Sequence, residues 1–223
     1  MTSQNIKSDT ALTATPMQMF KRWLCSSYPY RLFNVGRSYV AWVNRSYSAP
    51  SPHFIKQAVV LRNALPHATW VETGTFLGET TRLLAKQGSF VYSIEPEPTL
   101  YANAHRFFKS YANVEIIHGL SENVFPTLLP TLSGDINFWL DGHYSAGPTH
   151  KGPQDTPILD ELKCIAANLT HFKNVRIMVD DVRCFNPHLP DYASYPTAKT
   201  LVDWAEQHRL HWHIEHDIFV AGN

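Results

Sequence analysis

The chain has 223 residues, of which 44% are apolar and 17% are charged, and its formal net charge is zero. This length fits one domain with a sizeable core, and the composition argues against a disordered, coiled-coil or collagen-like chain. The balanced charge argues against a nucleic-acid-binding protein, whose usual footprint is strongly basic. The charge is unevenly divided, because residues 1–56 carry seven basic side chains and one acid, which leaves −6 on residues 57–223.

The cysteines and the hydropathy pattern predict a compartment. Cys25, Cys164 and Cys184 show no CxxC spacing, so they predict neither a disulfide framework nor a zinc site. This usage favours a reducing, cytoplasmic location. The N-terminus is polar and lacks the apolar segment of a secretory signal, and no run reaches the roughly 18 apolar residues of a membrane span.

The first 50 residues are predicted to form a flexible tail and a basic, aromatic helical extension. The pattern indicates one or two short helices, interrupted near Pro29. We interpret residues 1–50 as a lid over a substrate cleft or as a homodimer contact, with a membrane-surface role as the less favoured alternative. Residues 51–223 are predicted to form the main domain, beginning with a helix that Ser51 caps. The apolar face predicted for this helix comprises Phe54, Ala58, Leu61 and Leu65.

From residue 68 onward, short apolar runs alternate with helical patterns. Strands are predicted at 70–72, 90–95, 114–118, 136–141 and 175–180, followed by a closing pair at 211–215 and 218–221. Helices are predicted at 79–86, 99–111, 122–129, 158–169 and 197–208. This alternation predicts an α/β fold: a Rossmann-like, doubly wound, seven-stranded and mostly parallel sheet with an antiparallel C-terminal strand. Ligands of such sheets bind beyond the carboxyl ends of the strands.

A glycine loop and a second acid follow the first two strands. Glu72, Gly74 and Gly78 lie between the first strand and its helix, where Gly74 permits a sharp turn and the helix N-terminus offers free N–H groups. Glu95 ends the second strand, where a carboxylate can accept both hydroxyls of a ribose. Phe76 occupies the position where a dinucleotide-binding loop has its middle glycine, which argues against a dehydrogenase.

This arrangement resembles the class I S-adenosylmethionine-dependent methyltransferases. Their first motif reads acid-x-Gly-x-x-x-Gly, and Glu72, Gly74 and Gly78 match it, while Glu95 corresponds to the acid of their second strand. The resemblance covers roughly residues 55–223, and the alternative is that both glycines serve a turn only. It implies S-adenosyl-L-methionine as cofactor. The implied cofactor-binding residues are Glu72, Gly74, Thr75, Phe76, Gly78, Glu95, Ser121 and Asp141.

Three carboxylates follow the fourth and fifth strands. Asp141 ends one strand, and Asp180 and Asp181 end the other, so they converge and repel one another unless a cation lies between them. Oxygen ligands of this kind suit Mg²⁺. The set also resembles that of the catechol O-methyltransferase-like branch, although Asp181 stands where that branch usually has Asn. The alternative is that these acids only cap backbone groups of the loops.

A long polar loop, 142–157, follows Asp141 and is a candidate substrate lid. The branch named above has its catalytic lysine in this stretch, where this chain has His143 and Tyr144. His143 is a candidate general base or metal ligand, with Asp141 as its catalytic partner.

Together these features predict an S-adenosylmethionine-dependent methyltransferase, a transferase that methylates a hydroxyl of a small molecule with help from a divalent cation. A metal-independent N- or C-methyltransferase is the first alternative. A non-catalytic methyltransferase-like binding domain is the second. The expected partner is a small-molecule substrate and not a nucleic acid.

Overall fold

The computed structural model describes residues 28–141 and 156–223, which divide into two units with the boundary between Tyr47 and Ser48. In the first unit, Tyr28–Asn44 form one helix, α1. Pro29 lies in the first turn of this helix, where a missing N–H removes no intrahelical hydrogen bond. The predicted interruption near Pro29 stays a prediction, because the residues before Tyr28 lie outside the described ones. Near the C-terminal end of α1, Trp42 packs edge-on against Tyr47.

The second unit contains seven strands and six further α-helices among the residues that the structure describes. The helices are α2 His53–Asn63, α3 Glu79–Gln87, α4 Pro98–Phe108, α5 Ser121–Leu128, α6 Ile158–Asn168 and α7 Ala198–Gln207. The strands are β1 Thr69–Thr73, β2 Phe90–Glu95, β3 Val114–His118, β4 Gly134–Leu140, β5 Phe172–Val179, β6 His211–Glu215 and β7 Ile218–Gly222. Within these described ranges, no helix combines the length and the apolarity that crossing a membrane requires.

All seven strands form one sheet in the order β3-β2-β1-β4-β5-β7-β6. Strands β1 to β5 pair in parallel, whereas β7 is antiparallel to both of its neighbours. The predicted doubly wound sheet with an antiparallel C-terminal strand is therefore confirmed. The strand order reverses at β1, so the carboxyl ends of β1, β2 and β4 face the crevice where ligands of such folds bind.

Helices cover both faces of this sheet. One face packs against α2 and α3 through a core that includes Val60, Trp70 and Leu84. The opposite face packs against α5, α6 and α7 around a larger core that includes Phe125 and Leu162. This double cover explains why the last three residues of β4 (FWL) and of β5 (IMV) are all apolar and all buried.

The predicted start and face of α2 are wrong. Pro52, not Ser51, occupies the N-cap position, and the Ser51 hydroxyl donates instead to the carbonyl of His216. The buried residues of α2 are Lys56, Val59 and Val60. These residues are spaced i, i+3 and i+4, so they form a real helical face, but this face includes a lysine.

Candidate functional site

The loop Gly74–Gly78 joins the central strand β1 to α3. Gly74, Phe76 and Gly78 all have positive φ angles, of 86°, 48° and 73°, so the backbone reverses direction within five residues. Gly74 N–H donates to the carbonyl of Ile94 on β2 at 3.0 Å. The loop is thereby fixed against the end of the neighbouring strand. Positive φ angles are inexpensive for glycine but costly for phenylalanine, so the strain at Phe76 must be offset by its surroundings.

Gly78 has a second structural reason to be glycine. A Cβ atom at this position would lie 2.7 Å from Cε2 of Phe108 on α4. The start of α3 therefore approaches α4 closely at this point. Phe108 is itself buried beside Ala104 and Ile116, so its ring has little room to move.

Glu95 holds the glycine loop at the end of β2. Its Oε2 accepts from the backbone N–H of Phe76 at 2.8 Å, and its Oε1 accepts from the N–H of Glu97 at 3.0 Å. Burial raises the pKa of the Glu95 carboxyl, and these backbone hydrogen bonds offset part of that effect. A carboxylate has about four acceptor positions, so two remain for a ligand.

Glu72 lies beneath the loop, fully buried, and its Oε2 accepts from the hydroxyls of Thr81 at 2.5 Å and Ser93 at 2.6 Å. Its Oε1 has no hydrogen-bond partner among the described residues. Burial raises the pKa of this carboxyl to about 8, despite the two hydroxyl hydrogen bonds that lower it. Thr75, also predicted as a cofactor contact, is buried and shares a 2.6 Å hydrogen bond with Ser93.

The structure brings Asp141, Asp180 and Asp181 together at the ends of β4 and β5. One carboxylate oxygen of each lies within 4.8 Å of the others. The N–H of Asp141 donates to the carbonyl of Thr73, and the N–H of Asp180 donates to the carbonyl of Leu140, which fixes both acids to the adjacent strands. Burial, followed by the charges of Asp141 and Asp181, raises the pKa of Asp180 to about 7.

Two basic side chains offset part of the negative charge of this cluster. Nζ of Lys56, on α2, donates to Oδ1 of Asp180 at 2.6 Å and also to Oδ1 of Asp181. Nη1 of Arg183 donates to Oδ1 of Asp181 and to Oδ2 of Asp217. The ammonium of Lys56 therefore already contacts one carboxylate oxygen of Asp180 and one of Asp181, the acids that were predicted to bind a divalent ion. The residues as arranged do not fit the predicted Mg²⁺.

A cavity of about 10 Å³, with room for about one water molecule, is lined in part by this cluster. Glu161 of α6 lines it together with Asp180 and Asp181, and Phe185 and Tyr195 supply aromatic walls. Glu161 is almost fully buried, and its Oε1 has no hydrogen-bond partner in the described parts of the chain. Burial raises the pKa of Glu161 to about 7, although a hydrogen bond from the Ser121 side chain lowers it.

The predicted site residues therefore separate into three groups. The structure brings the loop residues and Glu95 together at β1 and β2, and it brings the three aspartates together at β4 and β5. Ser121 lies at the start of α5, where it contacts Glu161. His143 and the rest of the predicted lid up to residue 155 lie outside the described residues.

Sequence reasoning missed Lys56 and Glu161. A signal was present for Glu161, because it is three residues after Ile158 and four before Ile165, on the apolar face of α6. Lys56 likewise precedes Val59 and Val60 by three and four residues. The sequence indicates Arg183 only as one of several loop residues that could face substrate, because its contacts with Asp181 and Asp217 depend on where the hairpin β6–β7 returns to β5.

No family model and no curated protein matches the chain. The N-methyltransferase NodS from Bradyrhizobium japonicum is similar in structure, with a TM-score of 0.50 and 13% identity over 75% of this chain and 93% of that one. The structure of NodS in complex with S-adenosyl-L-homocysteine has a TM-score of 0.49 and 14% sequence identity, and the match covers 92% of this chain and 95% of that one. An rRNA methylase from Streptococcus thermophilus has a TM-score of 0.43 and 13% sequence identity, and the match covers 78% of this chain and 96% of that one. These neighbours are methyltransferases, and the similarity to NodS shows that this chain has the Rossmann-like methyltransferase fold.

Proposed function

We propose that the protein is an S-adenosylmethionine-dependent methyltransferase. The observation that carries this proposal is the loop Gly74–Gly78, held by Glu95 at the carboxyl end of the central strand. The fold supports it, since NodS shares the fold and has a structure in complex with S-adenosyl-L-homocysteine. A loop that served a turn only would not need a buried carboxylate aimed at its backbone.

The residues of this loop fit such a cofactor. Glu95 would accept hydrogen bonds from the ribose hydroxyls with its two remaining acceptor positions. The first N–H groups of α3 lack intrahelical partners and would bind the cofactor's carboxylate. When bound, S-adenosylmethionine supplies an electrophilic methyl group, and the protein's main contribution is to position the acceptor in line with it.

The acceptor group would approach the carboxyl ends of β4 and β5, beside the strand β1 that carries the loop Gly74–Gly78. The net charge of −6 on residues 57–223 supports a small molecule over a nucleic acid. Glu161, with its pKa near 7, is suited to accept a proton close to neutral pH. It is too weak a base to ionise an ordinary hydroxyl, and Lys56 takes the place of a metal that would acidify one. We therefore favour the metal-independent alternative, with a nitrogen acceptor.

Calorimetric titration with S-adenosyl-L-homocysteine tests the cofactor assignment. We expect the native chain to bind, and Glu95→Ala to weaken binding at least about tenfold, because the loop loses its anchor and the ribose its acceptor. Glu115→Ala is the matched control, since Glu115 is an exposed glutamate on the neighbouring strand β3. Absence of binding by the native chain, or equal binding by Glu95→Ala, contradicts the proposal.

Transfer itself is measured with methyl-labelled S-adenosylmethionine and two panels of small molecules, one of amines and one of hydroxyl compounds. We expect label to appear on an amine and the rate to be the same with and without EDTA. Transfer to a hydroxyl that stops in EDTA would contradict the metal-independent assignment and restore the original prediction.

A further inference from the structure

Lys56 is a lysine buried on the apolar face of α2. Only 9% of the residue is exposed, and its Nζ contacts one carboxylate oxygen of Asp180 and one of Asp181. Both contacts are hydrogen bonds from the ammonium, so the lysine is paired with two buried carboxylates at once. The side chain therefore places a positive charge between two carboxylates in the interior of the fold.

Lys56 belongs to a cluster of charged side chains. Asp180 and Asp181 contact it directly, Asp141 lies within 4.8 Å of both as measured between ligand oxygens, and Arg183 joins Asp181 to Asp217. These six groups comprise four acids and two bases. Removing the ammonium alone would leave buried carboxylates without their main counter-charge, which is costly in a protein interior.

We propose that Lys56 is the built-in cation of the acid cluster at the ends of β4 and β5, in the place where a divalent ion would otherwise bind. Its ammonium holds Asp180 and Asp181 in position, so Lys56 is a positioning residue. Its replacement by a neutral side chain would turn the cluster into a metal site. The proposal adds to the proposed function, but its metal-binding part does not depend on methyl transfer.

The experiment is a titration of the full chain with Mn²⁺, followed by electron paramagnetic resonance and by calorimetry. We expect the native chain to show no saturable binding at this cluster. Lys56→Gln should bind one Mn²⁺ at least about tenfold more tightly than the native chain. The double variant Lys56→Gln/Asp180→Asn should lose this gain, and Lys56→Arg, which keeps the charge, should not acquire it.

The matched control is Lys199→Gln, which also removes a lysine paired with an aspartate, Asp203, but on the surface. It should bind Mn²⁺ no better than the native chain. If Lys56→Gln is unstable on its own, Mn²⁺ should raise its melting temperature, whereas the control should be unaffected. Failure of Mn²⁺ to bind or to stabilise Lys56→Gln would overturn the proposal.

Binding of Mn²⁺ to the native chain that Asp180→Asn abolishes would also overturn it. Failure of this metal-binding test can be told apart from failure of the proposed cofactor binding. Binding of S-adenosyl-L-homocysteine is measured on the same samples and depends on Glu95, so a chain can fail that test and still gain a metal site through Lys56→Gln.

Discussion

Glu72 couples the stability of the domain to pH. Its pKa is about 8 in the folded chain because of burial, and its ordinary value is 4.5. Between these two values the folded state keeps the proton and the unfolded state releases it. Raising the pH in this window therefore favours unfolding through this group, by up to about 1.4 kcal/mol per pH unit. Below pH 4.5 Glu72 is protonated in both the folded and the unfolded state, so its contribution to the free energy of unfolding does not change with pH.

The substitution Glu72→Gln should remove this dependence, because the amide is neutral in both states and its oxygen can still accept from Thr81 and Ser93. We expect the variant to gain stability relative to the native chain as the pH rises from 5 to 7.5. Urea denaturation at several pH values measures the difference. Glu115→Gln is the control, and a native-minus-variant difference that stays constant with pH would contradict the prediction.

At the scale of single residues, local pattern predicts some side chains of the site and not others. Gly74, Gly78 and Glu95 were identifiable because a loop at a strand end needs positive φ angles and an acid within reach. Lys56 and Glu161 were not proposed, because charged residues at apolar helix positions are normally read as exposed. What makes them buried is a partner from a distant part of the chain: Asp180 in one case and Ser121 in the other.

At the scale of elements, the hairpin β6–β7 turns through His216 and Asp217, whose φ angles are 48° and 70°. Two positive φ angles in a two-residue turn are what a hairpin connection of this kind requires, and glycine is favoured at both positions. The Asp217 side chain makes two hydrogen bonds that a glycine could not make. Its Oδ1 accepts from the backbone N–H of Arg183 at 2.8 Å, and its Oδ2 accepts from the Arg183 guanidinium.

We expect Asp217→Gly to destabilise the protein by about 2 kcal/mol, because the lost charged hydrogen bonds outweigh the relief of the backbone. His216→Gly, in the same turn, should change the free energy of unfolding by less than about 1 kcal/mol. Urea denaturation of the two variants side by side measures the contrast. Equal effects would show that the Asp217 side chain contributes nothing to the fold.

The elements themselves follow largely from hydrophobic periodicity. Every predicted strand and helix from residue 68 to 222 that lies within the described residues is present, with ends shifted by a few residues. The strand β5 begins at Phe172, three residues before the prediction, since its first part pairs with Gly134 and Asp135 at the start of β4. Such extensions depend on strand pairing, which local sequence does not encode.

At the scale of the whole molecule, the apolar cores found among the described residues all belong to the second unit. Every buried residue of the three apolar clusters lies at position 59 or later in the chain. The residues proposed to hold the cofactor and those of the acid cluster also lie after Ser48. This distribution indicates that residues 48–223 can fold without the preceding segment.

We therefore expect the chain without residues 1–47 to unfold cooperatively and to bind S-adenosyl-L-homocysteine within about threefold of the full chain. Turnover and oligomeric state, measured on the same two samples, test the proposed lid and homodimer roles of the removed segment. Loss of turnover with intact binding supports a lid, and dissociation of a dimer supports a dimer contact. Failure of the shortened chain to fold would contradict the prediction.

The pair formed by Lys56 and Asp180 also bears on how the protein is made. These residues are separated by 124 positions, and the strand that precedes Asp180 is the fifth to leave the ribosome. Until then Lys56 projects from an emerging helix without its acidic partners, so α2 cannot bury its apolar face without also burying a lone charge. Docking of this helix should accordingly be a late event in synthesis, and ribosome-bound chains that stop before Asp180 should leave α2 open to proteases.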